Sequence, residues 1–139
     1  MKSLLGKLGV ILIGLAIFGY AEAWGADWKF LGTISEETYF YDPESITRPS
    51  ENIVRVWVRR GFTEKGVMDM VGRFGKKFEK LSYLNVLYEI NCAERTFLYL
   101  STIYHDHKGG VIHIISSPSK MGFITPESSV ESLYKEVCK

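Results

Sequence analysis

The sequence predicts an α+β fold, an antiparallel sheet of about six strands with a C-terminal helix tied to it by a disulfide. Three observations carry this. Apolar and polar residues alternate over residues 53–62 and again over residues 82–92, the period of a strand with one buried face. The period changes at the end of the chain, where Val130, Leu133, Tyr134, Val137 and Cys138 form one stripe at helical spacing. Finally, one cysteine ends the second alternating segment and the other ends that helical stripe.

Taken in order, residues 28–33 and 38–41 are aromatic and β-branched, with Ser35, Glu36 and Glu37 between them and Asp42-Pro43 after them. They read as two short strands joined by a turn. In the next strand, residues 53–62, Val54, Val56 and Val58 point one way and Arg55, Trp57 and Arg59 the other. Between Glu64 and Leu81, the residues Val67, Met70, Val71, Phe74, Phe78 and Leu81 recur every three or four positions. That is an amphipathic helix, weakened by Gly72 and Gly75. Its other side carries Arg73, Lys76, Lys77 and Lys80 against Asp69 and Glu79, a solvated face.

Strand character returns at Ser82, with Leu84, Val86, Tyr88, Ile90 and Cys92 on one side and Tyr83, Asn85, Leu87, Glu89 and Asn91 on the other. Residues 95–106 and 111–116 form a hairpin around Lys108-Gly109-Gly110, the short turn favouring direct pairing. Ser117-Pro118-Ser119-Lys120 breaks that strand, and Thr125-Pro126-Glu127 or Ser128-x-x-Glu131 starts the last helix by capping. A bridge from Cys138 to Cys92 then ties helix to sheet.

Not all of the 139 residues belong to that domain. Lys2 and Lys7 precede an apolar run over residues 8–18, and Ala21 and Ala23 flank Glu22. This is the pattern of a secretory signal peptide over residues 1–23, cleaved after Ala23. Cleavage after Ala26 would put bulky Trp24 at the minus-three position and ranks second. An uncleaved anchor is the competing reading, disfavoured because the apolar run is shorter than the roughly 20 residues that span a bilayer. No cysteine lies near the cleavage region, so a lipid-modified cysteine is not expected, and the mature form is read as not membrane-spanning. The whole chain has 17 basic and 16 acidic residues; two of the former and one of the latter lie in residues 1–23, leaving 15 of each. A neutral domain has no long-range attraction for nucleic acid. In an exported protein the two cysteines read as one disulfide, against the alternative of two free thiols.

Few residues suggest chemistry. His105 and His107 lie on one side of their strand, a weak candidate metal pair; a two-residue turn would set His107 opposite Ile112 and place His113 on the other side. There is no Gly-x-Ser-x-Gly, no phosphate-binding glycine loop and no paired carboxylate pattern, so no catalytic residue and no cofactor is assigned. Arg55, Trp57 and Arg59 on one strand face are the candidate binding residues, since Trp and Arg are enriched at binding hot spots. The competing reading is that the helix between Glu64 and Leu81 covers this face.

Residues 24–139 resemble the surface-adhesin protein E-like domain family. The resemblance is carried by Trp28, by Tyr39-Phe40-Tyr41-Asp42-Pro43-Glu44-Ser45-Ile46, by Val54-Arg55-Val56-Trp57-Val58-Arg59, by Leu87-Tyr88-Glu89-Ile90-Asn91-Cys92, and by Pro126-Glu127-Ser128 with Val137-Cys138. It implies a six-stranded antiparallel sheet, a disulfide-held C-terminal helix and a place in the bacterial cell envelope. The family's namesake is a surface adhesin for host matrix and plasma proteins; this chain lacks its lipoprotein cysteine, which points to a periplasmic or secreted protein. The function expected is a non-catalytic extracytoplasmic protein-binding module of adhesin-like type. The alternatives are a periplasmic small-molecule, haem or metal carrier, and a structural envelope component that self-associates, as a homodimer, through its sheet edge or through the basic helix face.

Overall fold

The computed structural model describes residues 27–139; the expected signal peptide and its cleavage point lie outside the described residues. The strands are β1 (Lys29–Ile34), β2 (Glu37–Tyr41), β3 (Thr47–Ser50), β4 (Ile53–Phe62), β5 (Leu81–Asn91), β6 (Thr96–Asp106), β7 (Val111–Ile115) and β8 (Gly122–Phe123). The helices are α1 (Glu64–Phe74) and α2 (Ser129–Val137), with 3-10 turns at Pro43–Ser45 and Lys76–Phe78. The expected six strands form one antiparallel path, β1-β2-β4-β5-β6-β7, and the short strands β3 and β8, which had no clear sequence signal, add to β4 and β6.

Alternation builds the core directly. Val54, Val56 and Val58 of β4 and Leu84, Val86, Tyr88 and Ile90 of β5 form neighbouring buried rows, and Val130, Leu133 and Val137 of α2 close over them. Burying a side chain such as Leu133 contributes about 1.5–3 kcal/mol. The α2 N-terminus is capped as its sequence suggests. The Ser128 hydroxyl accepts from the Glu131 N–H at 3.1 Å, and the Glu131 carboxylate accepts from the Glu127 N–H at 2.8 Å. The last turn is fastened by the Cys92–Cys138 disulfide, whose Cα atoms lie 5.6 Å apart. The Tyr134 hydroxyl adds a second tether, donating to the Cys92 carbonyl at 3.0 Å.

The helix expected between Glu64 and Leu81 is shorter and differently placed. It stops at Phe74 because Gly75 takes φ 110, a conformation open to glycine and costly for other residues. The chain then makes the 3-10 turn that carries Phe78 inward, and Leu81 already belongs to β5. Phe74 is 60% exposed rather than part of a buried stripe. Sidedness explains why: α1 abuts the end of the sheet, where Gly66 lies so close to Glu36 and Phe62 that a Cβ would meet atoms at 3.0–3.4 Å.

The β6–β7 turn also departs from the expected register. His105 pairs with Val111 and Tyr104 with His113, with an irregularity between them, in place of His107 opposite Ile112. The Asp106 carboxylate causes this. It accepts from the N–H groups of Lys108 at 2.9 Å and Gly110 at 2.8 Å, which organises a longer turn. Those two N–H groups also hold the Asp106 carboxyl below the usual carboxylate range.

Candidate functional site

The buried rows leave the other sheet face to be accounted for. Strand pairing sets Phe40, Arg59, Asn85, Ile103 and Ile114 in one row across it, with Trp57, Leu87 and Ser101 in another and Arg55 opposite Glu89. Neither helix covers this face among the described residues. The buried side chains of α2 pack on the valine side, and Phe78 meets Tyr104 and His113, which share the side of Leu84. The face carrying Arg55, Trp57 and Arg59 is therefore open.

The three candidates differ in what they touch. Arg55 is neutralised across the strands, its Nε donating to Glu89 Oε1 at 2.9 Å. Trp57 is half-buried and sits where β2 has ended and β3 has not begun. The Pro43–Ser45 turn fills that gap: the Trp57 N–H donates to Ser45 Oγ and its carbonyl accepts from the Asp42 N–H, each at 3.0 Å. Both backbone groups of Trp57 are thus satisfied where the sheet edge changes partner.

Arg59 stands apart. Its guanidinium carbon lies 4.4 Å from the Trp28 ring centroid and 4.2 Å from that of Tyr83. Tyr83 in turn stacks on His105 at 4.8 Å. The Arg59 Nε donates to Asn85 Oδ1 at 3.0 Å, and among the described residues no carboxylate pairs with this arginine. Burial between the rings lowers its pKa, with Tyr83 acting to raise it; a guanidinium stays charged regardless. The result is a ladder of planar groups, Trp28, Arg59, Tyr83 and His105, with one uncompensated positive charge inside it. Phe30 and Phe40, edge to face at 5.8 Å, extend the aromatic surface.

The sequence named Arg59 as a candidate and did not indicate Trp28 and Tyr83 as its neighbours, although alternation already placed Tyr83 on the Asn85 side. Nor did it indicate Arg60, which the same alternation assigns to the valine side. There Arg60 Nε donates to Glu37 Oε1 at 2.7 Å, beside Tyr39, and both charged side chains are largely shielded. Burial opposes the Arg60 charge, but Tyr39, Tyr88 and Glu37 outweigh it and raise its pKa. This pair is structural, filling the core face where the valine row ends.

The histidines are dispersed. His105 packs on Tyr83 and directs Nδ1 to the Gly109 carbonyl at 3.1 Å. His107 borders a shallow hollow with Phe62, Val67, Met68 and Leu81, and His113 faces Lys77 on the opposite side of the sheet. Among the described residues no three His, Cys, Asp or Glu side chains are grouped to hold a metal ion.

The family model for surface-adhesin protein E matches residues 28–139, a span that takes in the sheet, α2 and both cysteines. The chain belongs to the surface-adhesin protein E family. The fold is similar to the crystal structure of protein E from non-typeable Haemophilus influenzae, with 17% identity, 80% of this chain and 74% of that chain covered, and a TM-score of 0.51. Crystal form II of Haemophilus influenzae protein E is 17% identical, with 72% and 79% covered and a TM-score of 0.49. The selenomethionine form is 18% identical, with 72% and 78% covered and the same TM-score. No curated protein matches the chain. In this member of the protein E family the disulfide-held helix occupies one side of the sheet, and the Arg59 ladder lies on the side left open. No helix of the described residues is long and apolar enough to cross a membrane.

Proposed function

We propose that this protein E family member is a non-catalytic, adhesin-like binding protein of the cell exterior, and that it holds a protein partner against the open sheet face around Arg59, Arg55 and Trp57. The single observation that carries the reading is Arg59, fixed between two aromatic rings and lacking a carboxylate partner among the described residues. A guanidinium held in place by stacking has already lost much of its rotamer freedom, so a partner's carboxylate meets its N–H edge at low entropic cost. Buried aromatic and arginine anchors of this kind dominate binding energy at protein interfaces. The family name supports the adhesin-like part of the reading.

The test combines location and binding. Producing cells are fractionated into periplasm, outer membrane and medium, intact cells are treated with protease, and the purified protein is assayed on immobilised matrix and plasma proteins. Exposure at the surface or in the medium with saturable binding is expected. Arg59→Ala should weaken that binding by about tenfold or more, and Trp57→Ala should also weaken it. Arg59→Lys, which keeps the charge and loses the planar stack, should recover only part. A protease-protected periplasmic pool, or normal binding by folded Arg59→Ala, would overturn the adhesin-like reading.

A further inference from the structure

Beyond the open face, the sheet has edges, and they are not protected alike. β3 carries Arg48 and Pro49, both of which discourage strand addition. β1 begins with Lys29, has a register irregularity between Phe30 and Gly32, and is flanked by Ser128, Ser129 and Ser132 of the α2 end. β7, at the other end of the path, reads Val-Ile-His-Ile-Ile. It has no proline and no formal charge, and beyond β6 it pairs with no other strand among the described residues. Val111 is 57% and Ile114 53% exposed.

Beside this edge lies an open hollow of about 260 Å³, lined by Phe74, Phe78, Tyr104 and Ile115 together with Lys77 and His113. Lys77 Nζ donates to His113 Nδ1 at 3.2 Å and has no carboxylate partner among the described residues. A strand laid along β7 would alternate its side chains between Ile114 on the open face and this basic, apolar-lined hollow on the other. We infer that the β7 edge takes an extended segment of a partner protein as an added strand, with apolar residues toward Ile114 and acidic residues toward Lys77 and His113. Charge decides between this occupant and a second copy of the chain. Antiparallel pairing of two β7 strands about His113 would set two Lys77–His113 pairs against each other, whereas an acidic segment neutralises one. Main-chain hydrogen bonds along the edge supply affinity, and the hollow supplies selection.

The probe is a capped octapeptide, TVEVEVET, titrated by fluorescence anisotropy against the mature protein, with its lysine-for-glutamate counterpart and a version N-methylated at alternate residues as controls. Saturable binding is expected for the acidic peptide and loss of it on N-methylation. Lys77→Glu should weaken the acidic peptide about fivefold and strengthen the lysine peptide, and Ile114→Lys should weaken the acidic one. Absence of saturable binding up to about 1 mM, or binding indifferent to N-methylation and to Lys77→Glu, overturns the proposal. So does a dimer seen by sedimentation that Ile114→Lys dissociates and the peptide cannot enter, since the edge would then belong to a second copy.

Discussion

Removing the disulfide tests how the domain is held together, and the structure sets the size of the effect. Cys92 lies just past β5 and Cys138 at the C-cap of α2, 46 residues apart in sequence. The segment between them contains β6, β7 and β8. In the chain-entropy model, freeing a closed loop of that length returns about 13 cal/mol/K to the unfolded chain, or about 4 kcal/mol at 25 °C. That is a large part of the 5–15 kcal/mol typical of a whole domain. The double variant Cys92→Ala/Cys138→Ala should therefore unfold in guanidinium at a midpoint roughly 1 M lower than the parent, followed by circular dichroism. Tyr134→Phe removes the hydrogen bond to the Cys92 carbonyl and leaves the bridge, and should cost only about 1 kcal/mol. A loss below about 1 kcal/mol in the cysteine variant would refute the reasoning. It would mean that Val130, Leu133 and Val137 hold α2 to the sheet without help.

Three further outcomes are expected. Glu37→Gln leaves Arg60 without its carboxylate on the core side and should cost about 1–2 kcal/mol in denaturant unfolding, whereas an exposed glutamate such as Glu51 should be neutral on substitution. Glu131 has its carboxyl pKa lowered, first by the Glu127 N–H. Its folded value is below its unfolded value, so its contribution is complete above the ordinary glutamate value of 4.5 and fades as pH falls through the lower folded value; thermal melts of Glu131→Gln should show a flatter acid limb than the parent. Gly75→Ala places a side chain at φ 110, ψ 168, a region almost confined to glycine, and should cost about 1–3 kcal/mol in melts, while Gly72→Ala, inside α1 with open space around it, should be neutral or stabilising.

Local chemistry explains how far the sequence could be read. Alternation with period two sorted β4 and β5 into a buried and an outward row, and the Ser128 and Glu131 spacing marked the start of α2. The same alternation contained Arg60, whose charge ran against the apolar reading and hid its place in the core. The helix boundary failed at Gly75 because the periodic pattern continued through it: Phe78 and Leu81 keep helical spacing while the backbone has already turned. At the histidine hairpin the number of turn residues depended on the Asp106 side chain capturing two N–H groups, which a count of glycines does not show.

By itself the sequence determined the α+β class, the two-sided strands, the capped last helix and the two cysteines that tie it down, because each follows from contacts or periods within a short stretch of chain. Only the tertiary structure decided that α1 would abut the end of the sheet and leave the side of Arg55, Trp57 and Arg59 open. It also brought Trp28 and Tyr83 onto Arg59, and Phe74 and Lys77 beside β7. Those neighbours come from strands and turns far apart in the chain, and strand order and packing, which no local pattern encodes, set their meeting.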